Sequence, residues 1–170
     1  MKGMLKGVAA LAMVTVLGAS TVHAQGVRFG VAGTGLFSLQ SGGGSAFGGM
    51  ALVGFGGKDG SPLGFRVDAT FSKKSGVTTL PVTADVVYTF ETAESSMFHP
   101  YLIAGGGLVH SSGFGASTTK PMAKAGAGFD YMMGSVMLFG EATFDLFFYG
   151  GAGGTGKTLQ TNVGVKFGGM

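Results

Sequence analysis

The stretch VMLFGEATFDLFFYGGAGGTGKTLQTNVGVKF, Val136–Phe167, admits two incompatible readings. Gly151, Gly156, Lys157 and Thr158 satisfy the phosphate-loop spacing G-x-x-x-x-G-K-T. Such a loop needs a buried strand before it and a helix after it, so that backbone N–H groups and the helix N-terminus hold phosphate. Only twelve residues follow Thr158, and they alternate with period two: Leu159, Val163, Val165 and Phe167 against Gln160, Asn162 and Lys166. The run before the glycines alternates as well, Leu138, Ala142, Phe144, Leu146 and Phe148 against Glu141, Thr143 and Asp145. Two alternating runs around a Gly-rich centre form a β-hairpin. With 35 Gly in 170 residues, a chance match to a glycine-based motif is easily met.

The same period runs upstream. The segments Val27–Leu39, Phe47–Gly56, Leu63–Phe71, Leu80–Phe90, Tyr101–Val109 and Lys120–Tyr131 complete a set of eight strands. They are joined by SGGGSA, GGKDGSP, SKKSG, ETAESSMFH, His110–Thr119, MMGS and Gly150–Lys157, all rich in turn formers or polar residues. Each strand is roughly the 9–11 residues that a tilted strand needs to cross hydrocarbon. An even number of neighbouring hairpins can close strand eight on strand one, removing the unpaired edges that a bilayer penalises. The reading is all-β: an eight-stranded antiparallel up-and-down transmembrane β-barrel with both termini at one end.

Composition narrows the function classes. Charged residues are 11 % of the chain, against about 25 % in ordinary soluble domains. Lys2 and Lys6 fall in an N-terminal segment that reads as a cleavable signal peptide, residues 1–24. It has a basic start, an apolar core at Val8–Leu17, and Val22 and Ala24 at the positions a signal peptidase reads. The alternative there is a retained anchor. Residues 25–170 are then the barrel. Removing those two lysines leaves 9 basic against 8 acidic residues, too balanced for a nucleic-acid surface. There is no Cys, so thiol nucleophiles and disulfides are excluded, metal ligands do not cluster, and no cofactor is expected. Two His remain after cleavage, and no Ser-His-Asp set is readable from spacing.

Alternation alone does not say which face points outward. A soluble barrel would need its polar face outside and densely charged. Here that face is mostly Gly, Thr, Ser and Ala with one or two charges per strand, which suits a crowded interior. The apolar face carries aromatics near strand ends, Phe37, Phe47, Phe71, Tyr88, Phe90, Tyr101, Phe129, Tyr131, Phe148 and Phe167, resembling interfacial girdles. The interior would then hold Arg28, Arg66, Asp68, Asp85, Lys124, Asp130, Glu141, Asp145 and Lys166. Isolated interior charges are costly, so pairing is expected. A register centred on each loop places Arg66 opposite Asp85, Glu141 opposite Lys166, and Lys124 diagonal to both Glu141 and Asp145. This set is either a polar network that holds the barrel shut or a charged constriction in a pore.

The segment HPYLIAGGGL, His99–Leu108, and the last strand TNVGVKF, Thr161–Phe167, resemble the small eight-stranded outer-membrane β-barrels, the OmpA/OmpX-like family. The resemblance covers Val27–Phe167. It implies a bacterial outer-membrane location, lipid and lipopolysaccharide as neighbours, and a C-terminal signal for the barrel-assembly machinery carried by Gly164 and Phe167. It also implies a monomer with a structural or interaction role. The alternatives are a narrow channel for small solutes or hydrophobic molecules, and an envelope enzyme. His110 and Ser112 resemble the His-x-Ser of outer-membrane lipid A deacylases, but the acidic partner that family needs has no counterpart around Gly126. Lys73 and Lys74 are expected on an outer loop, where they can meet lipopolysaccharide phosphates, and His99 in a solvated link. No enzyme activity is expected.

Overall fold

A computed structural model describes residues 26–56, 61–93, 96–149 and 154–168. The signal segment 1–24 and Gly151–Gly153 of the phosphate-loop match lie outside the described residues. Among those described no helix forms. Eight strands do: β1 Val27–Ser38, β2 Ser45–Gly56, β3 Leu63–Lys74, β4 Val77–Thr89, β5 Phe98–Gly113, β6 Ala116–Met133, β7 Val136–Phe148 and β8 Thr155–Phe167. Each pairs antiparallel with its sequence neighbour, and β8 closes on β1 from Phe29↔Phe167 to Ser38↔Thr158. Val27 and Phe167 mark the terminal end of the barrel; the β1–β2, β3–β4, β5–β6 and β7–β8 connections mark the distal end.

Several strands, β3, β5, β6 and β8 among them, are longer than their apolar cores suggest, and their connections correspondingly shorter. Lys73 and Lys74 belong to β3, with Lys74 paired to Val77, so SKKSG shrinks to the two-residue turn Ser75–Gly76. His110–Thr119 is likewise no loop. His110 pairs with Thr119 inside the β5–β6 ladder, and only Phe114–Gly115 turns. Ser75 (φ 48°), Gly76 (φ 82°), Phe114 (φ 51°) and Gly115 (φ 81°) place both central residues of each turn at positive φ. That conformation follows the right-handed twist of the strands it joins. His99 lies in β5 rather than in a link, its Nδ1 2.9 Å from Thr92 Oγ1.

Face assignment follows the alternation. Phe47, Phe65, Val67, Phe71, Val86, Leu102, Leu108 and Val163 are exposed on the outer surface, whereas Arg66, Asp68, Thr70, Thr83, Asp85, Thr143 and Asn162 are buried inside. Aromatics cluster at the two ends of that surface. Phe37 and Phe47 meet edge-on at 6.2 Å toward the distal end; Tyr88–Phe90 (5.3 Å) and Phe98–Phe129 (5.4 Å) lie toward the terminal end. Tyr101 is the exception to the expected girdle. It is 1 % exposed and points into the barrel. Both faces of β5 are apolar, so alternation alone does not set its parity, and pairing with β4 and β6 does.

Glycine has a packing reason here. Tyr101 pairs with Gly128, and a Cβ on Gly128 would sit 2.5 Å from the Tyr101 ring. Inside β5, a Cβ on Gly105 would collide with the Ala84 carbonyl and the Asp85 carboxylate. Glycine there lets β4 bring Asp85 into the interior cluster. The β3–β4 ladder skips from Ala69↔Val82 to Ser72↔Thr79, around Pro81, which has no N–H to donate.

Candidate functional site

The interior divides into three layers, set by which inward positions carry charge. The middle layer is an ion cluster. From β3, Arg66 reaches across the lumen to β7, where Nη1 and Nη2 donate to Glu141 Oε2 (2.6 Å) and Oε1 (2.9 Å). Two further groups donate to the same carboxylate, Tyr101 O–H from β5 (2.9 Å) and Asn162 Nδ2 from β8 (3.1 Å). Arg66 Nε also donates to Asp68 Oδ2 (3.0 Å). Lys124 Nζ from β6 sits 2.7 Å from Asp68 Oδ2 and 2.9 Å from Asp85 Oδ2. The Thr83 hydroxyl lies 2.8 Å from Asp68 Oδ1 and 3.1 Å from Asp85 Oδ2. All of these groups are buried. Charge-assisted hydrogen bonds of this length are the strong ones, and they tie six of the eight strands to one another.

Toward the terminal end, Lys166 Nζ is 2.6 Å from Asp130 Oδ1 and 4.7 Å from the ring centroids of both Tyr101 and Phe139. Beside it Met50, Leu52 and Phe139 form a small apolar cluster inside the barrel. Beyond these lies a terminal vestibule of about 630 Å³, lined among others by Arg28, His99, Asp130 and Lys166. At the distal end Val109, Met122 and Phe147 pack together. Above them opens a distal vestibule of about 500 Å³. The two vestibules share no lining residue.

The nine charged residues singled out from the sequence do not form one network. Arg66, Asp68, Asp85, Lys124 and Glu141 meet in the middle layer, and Asp130 and Lys166 pair separately. Asp145 is fully buried, but among the described residues it takes only the Thr143 hydroxyl on Oδ1 (2.8 Å), and its Oδ2 has no partner there. Arg28 is half-buried at the terminal vestibule and makes no ion pair among the described residues. Arg66 is opposite Asp85 in the ladder, at 3.9 Å between Nε and Oδ2.

The expected pairing of Glu141 with Lys166 is wrong. Glu141 faces Asn162, and Lys166 faces Met137, four residues away. The error traces to the hairpin centre. Thr155–Lys157 are strand rather than loop, so the turn lies nearer Phe148 than the polar composition suggests. Lys124 is likewise directly opposite Asp145, not diagonal to it, because Met132 and Met133 belong to β6. Even so, its ammonium turns away to Asp68 and Asp85. Tyr101 and Asn162 were missed as partners of Glu141. The Tyr101 hydroxyl in the apolar run of β5 hints at a buried partner, but two apolar faces leave its direction open in the sequence.

The remaining motifs lie apart from this cluster. Lys157 and Thr158 lie in β8, and Gly156 sits under the Tyr149 ring, so no helix follows the Gly-rich segment. His110 Nδ1 contacts Thr119 Oγ1 at 2.9 Å. Every carboxylate of the described strands points inward, so none is available to orient His110 as a base. Gly164 lies against the Val31 carbonyl and Ala32 of β1, and Phe167 ends β8, paired with Phe29 and Val136.

No family model and no curated protein sequence matches the chain. Solved structures do. Neisserial surface protein A aligns at TM-score 0.69 and 19 % identity, over 83 % of this chain and 96 % of its own. The N-terminal β-barrel domain of Pseudomonas aeruginosa OprF aligns at TM-score 0.53 and 21 % identity, over 84 % and 98 %. The outer membrane enzyme PagL aligns at TM-score 0.51 and 15 % identity, over 82 % and 99 %. The chain has the fold of the small eight-stranded outer-membrane β-barrels. One of these neighbours is an enzyme, another a surface protein and the third a barrel domain, so the fold does not assign the role.

Proposed function

We propose that the protein is an integral barrel of a bacterial outer membrane, with a structural or interaction role in the envelope. Lipid and lipopolysaccharide surround it, and it works as a monomer. The apolar outer surface with aromatic ends supports the location, because such a surface is stable only against hydrocarbon. One observation carries the role: the Arg66–Glu141 and Lys124–Asp68–Asp85 cluster spans the lumen between two separate vestibules. Eight strands enclose a space that side chains just fill, and here those side chains are bound to one another. Gly164 and Phe167 are proposed as the signal read during assembly.

In planar bilayers the purified barrel is therefore expected to give no reproducible conductance steps. Steady unitary openings would favour the narrow-channel reading instead. The absence of an outward carboxylate near His110 among the described residues speaks against hydrolysis of lipid A. Lipid A from cells expressing the His110→Ala protein should match that from cells expressing the unaltered one.

A further inference from the structure

A purely structural barrel leaves the distal vestibule without a purpose. Its volume, about 500 Å³, falls within the roughly 300–1,000 Å³ typical of small-molecule sites. Its base is apolar, built from Leu36, Val109 and Phe147. Hydroxyls of Ser72, Thr79 and Ser111 line the wall, and Lys74 and Lys120 lie above the base. Among the described residues no carboxylate lines it. Neither lysine makes an ion pair among the described residues, whereas the interior lysines Lys124 and Lys166 hold carboxylates at 2.6–2.9 Å. Lys74 Nζ lies against Gly44 of the neighbouring β1–β2 connection, at the rim of the mouth. Lys120 faces Val109 in the ladder, so its stem rises from the apolar base.

Two uncompensated ammonium groups over an apolar base match a ligand with one anionic end and one apolar end. A small hydrophilic anion would gain nothing from Leu36 and Val109. A plain hydrocarbon would gain nothing from the lysines. We propose that the distal vestibule binds a single-tailed anionic amphiphile, its carboxylate or phosphate head between Lys74 and Lys120 and its tail on Leu36, Val109 and Phe147. This deepens the interaction role proposed above and rests on the same barrel.

The test uses the protein folded in phosphatidylcholine nanodiscs, with methyl NMR of Leu36 and Val109. Laurate, dodecyl phosphate, dodecyltrimethylammonium and inorganic phosphate are titrated separately. Laurate or dodecyl phosphate, or both, should produce saturable shifts at these methyls and intermolecular NOEs to the tail; which of the two acts identifies the head group. A Lys74→Gln/Lys120→Gln protein should bind roughly tenfold or more weakly, the loss expected when charge-assisted hydrogen bonds are removed. Both substitutions lie at the open mouth, so heat-modifiable gel migration should be unchanged. Equal shifts with dodecyltrimethylammonium would mean non-specific partitioning and overturn the proposal. Saturation by inorganic phosphate with the Leu36 and Val109 methyls unmoved by either amphiphile would overturn it too. A protein that does not migrate as a folded barrel would instead overturn the barrel reading itself.

Discussion

Replacing Glu141 with alanine is expected to destabilise the folded barrel by about 3–5 kcal/mol, the cost of leaving a buried charge without its partner. The figure belongs at the upper end for a geometric reason. Glu141 accepts four donors, two from Arg66 and one each from Tyr101 and Asn162. Its loss leaves the Arg66 guanidinium held only by the Asp68 and Asp85 carboxylates, which Lys124 also uses. It also strands a buried tyrosine hydroxyl. The double variant Arg66→Met/Glu141→Leu removes both charges and should recover most of the loss, because well-packed apolar groups often replace a buried pair at little cost. Urea titration in vesicles, read by the fraction migrating as folded barrel, measures both. A Glu141→Ala protein as stable as the parent would show that the central cluster does not hold the lumen shut.

The second large effect is on the opposite face. Val67 lies near the middle of β3, exposed, between Val53 and Ala84 of the neighbouring strands. If that surface meets hydrocarbon, Val67→Arg should cost about 2–4 kcal/mol, the penalty for an arginine at the bilayer midplane. Phe47 is more exposed than Val67, at 69 % against 45 %, but lies near the distal end of β2. Phe47→Arg should cost only about 0–1 kcal/mol beyond the loss of the aromatic ring, since the penalty fades toward the interface. In a barrel surrounded by water the order would not depend on depth, and both arginines would be tolerated. The same urea titration compares them.

The alternation of Leu63, Phe65, Val67, Ala69 and Phe71 with Arg66, Asp68 and Thr70 made the strands, their number and the polar interior legible. Period two ties each side chain to a face, and that relation survives folding unchanged. The register did not survive as well. Strand ends rich in Thr, Ser, Gly and Lys read as loops, yet Thr155–Thr158, Lys73–Lys74 and His110–Gly113 stay in the ladder. Polar residues remain strand-paired wherever a barrel continues past its apolar band, and composition cannot mark that point. Placing the β7–β8 turn too late shifted Glu141 by four positions against Lys166. Pairing across the lumen lies further out of reach. Arg66 meets Glu141 from β3 to β7 only because the sheet closes, and no hairpin rule brings those strands face to face. The distal vestibule was invisible for the same reason, since its two lysines come from β3 and β6.

A lipid-facing apolar surface encloses a polar, ion-paired interior, and site-directed labels can test both faces at once. The chain has no cysteine, so single cysteines can be introduced and labelled without background. Labels at Val67 and Phe71, on the outer face, and at Ser72 and Thr79, on the wall of the distal vestibule, should be compared in vesicles containing brominated lipid. The expected result is strong quenching at Val67 and Phe71 and none at Ser72 and Thr79, although Phe71 and Ser72 are adjacent. Absence of quenching at Val67 and Phe71 in folded protein would contradict the account.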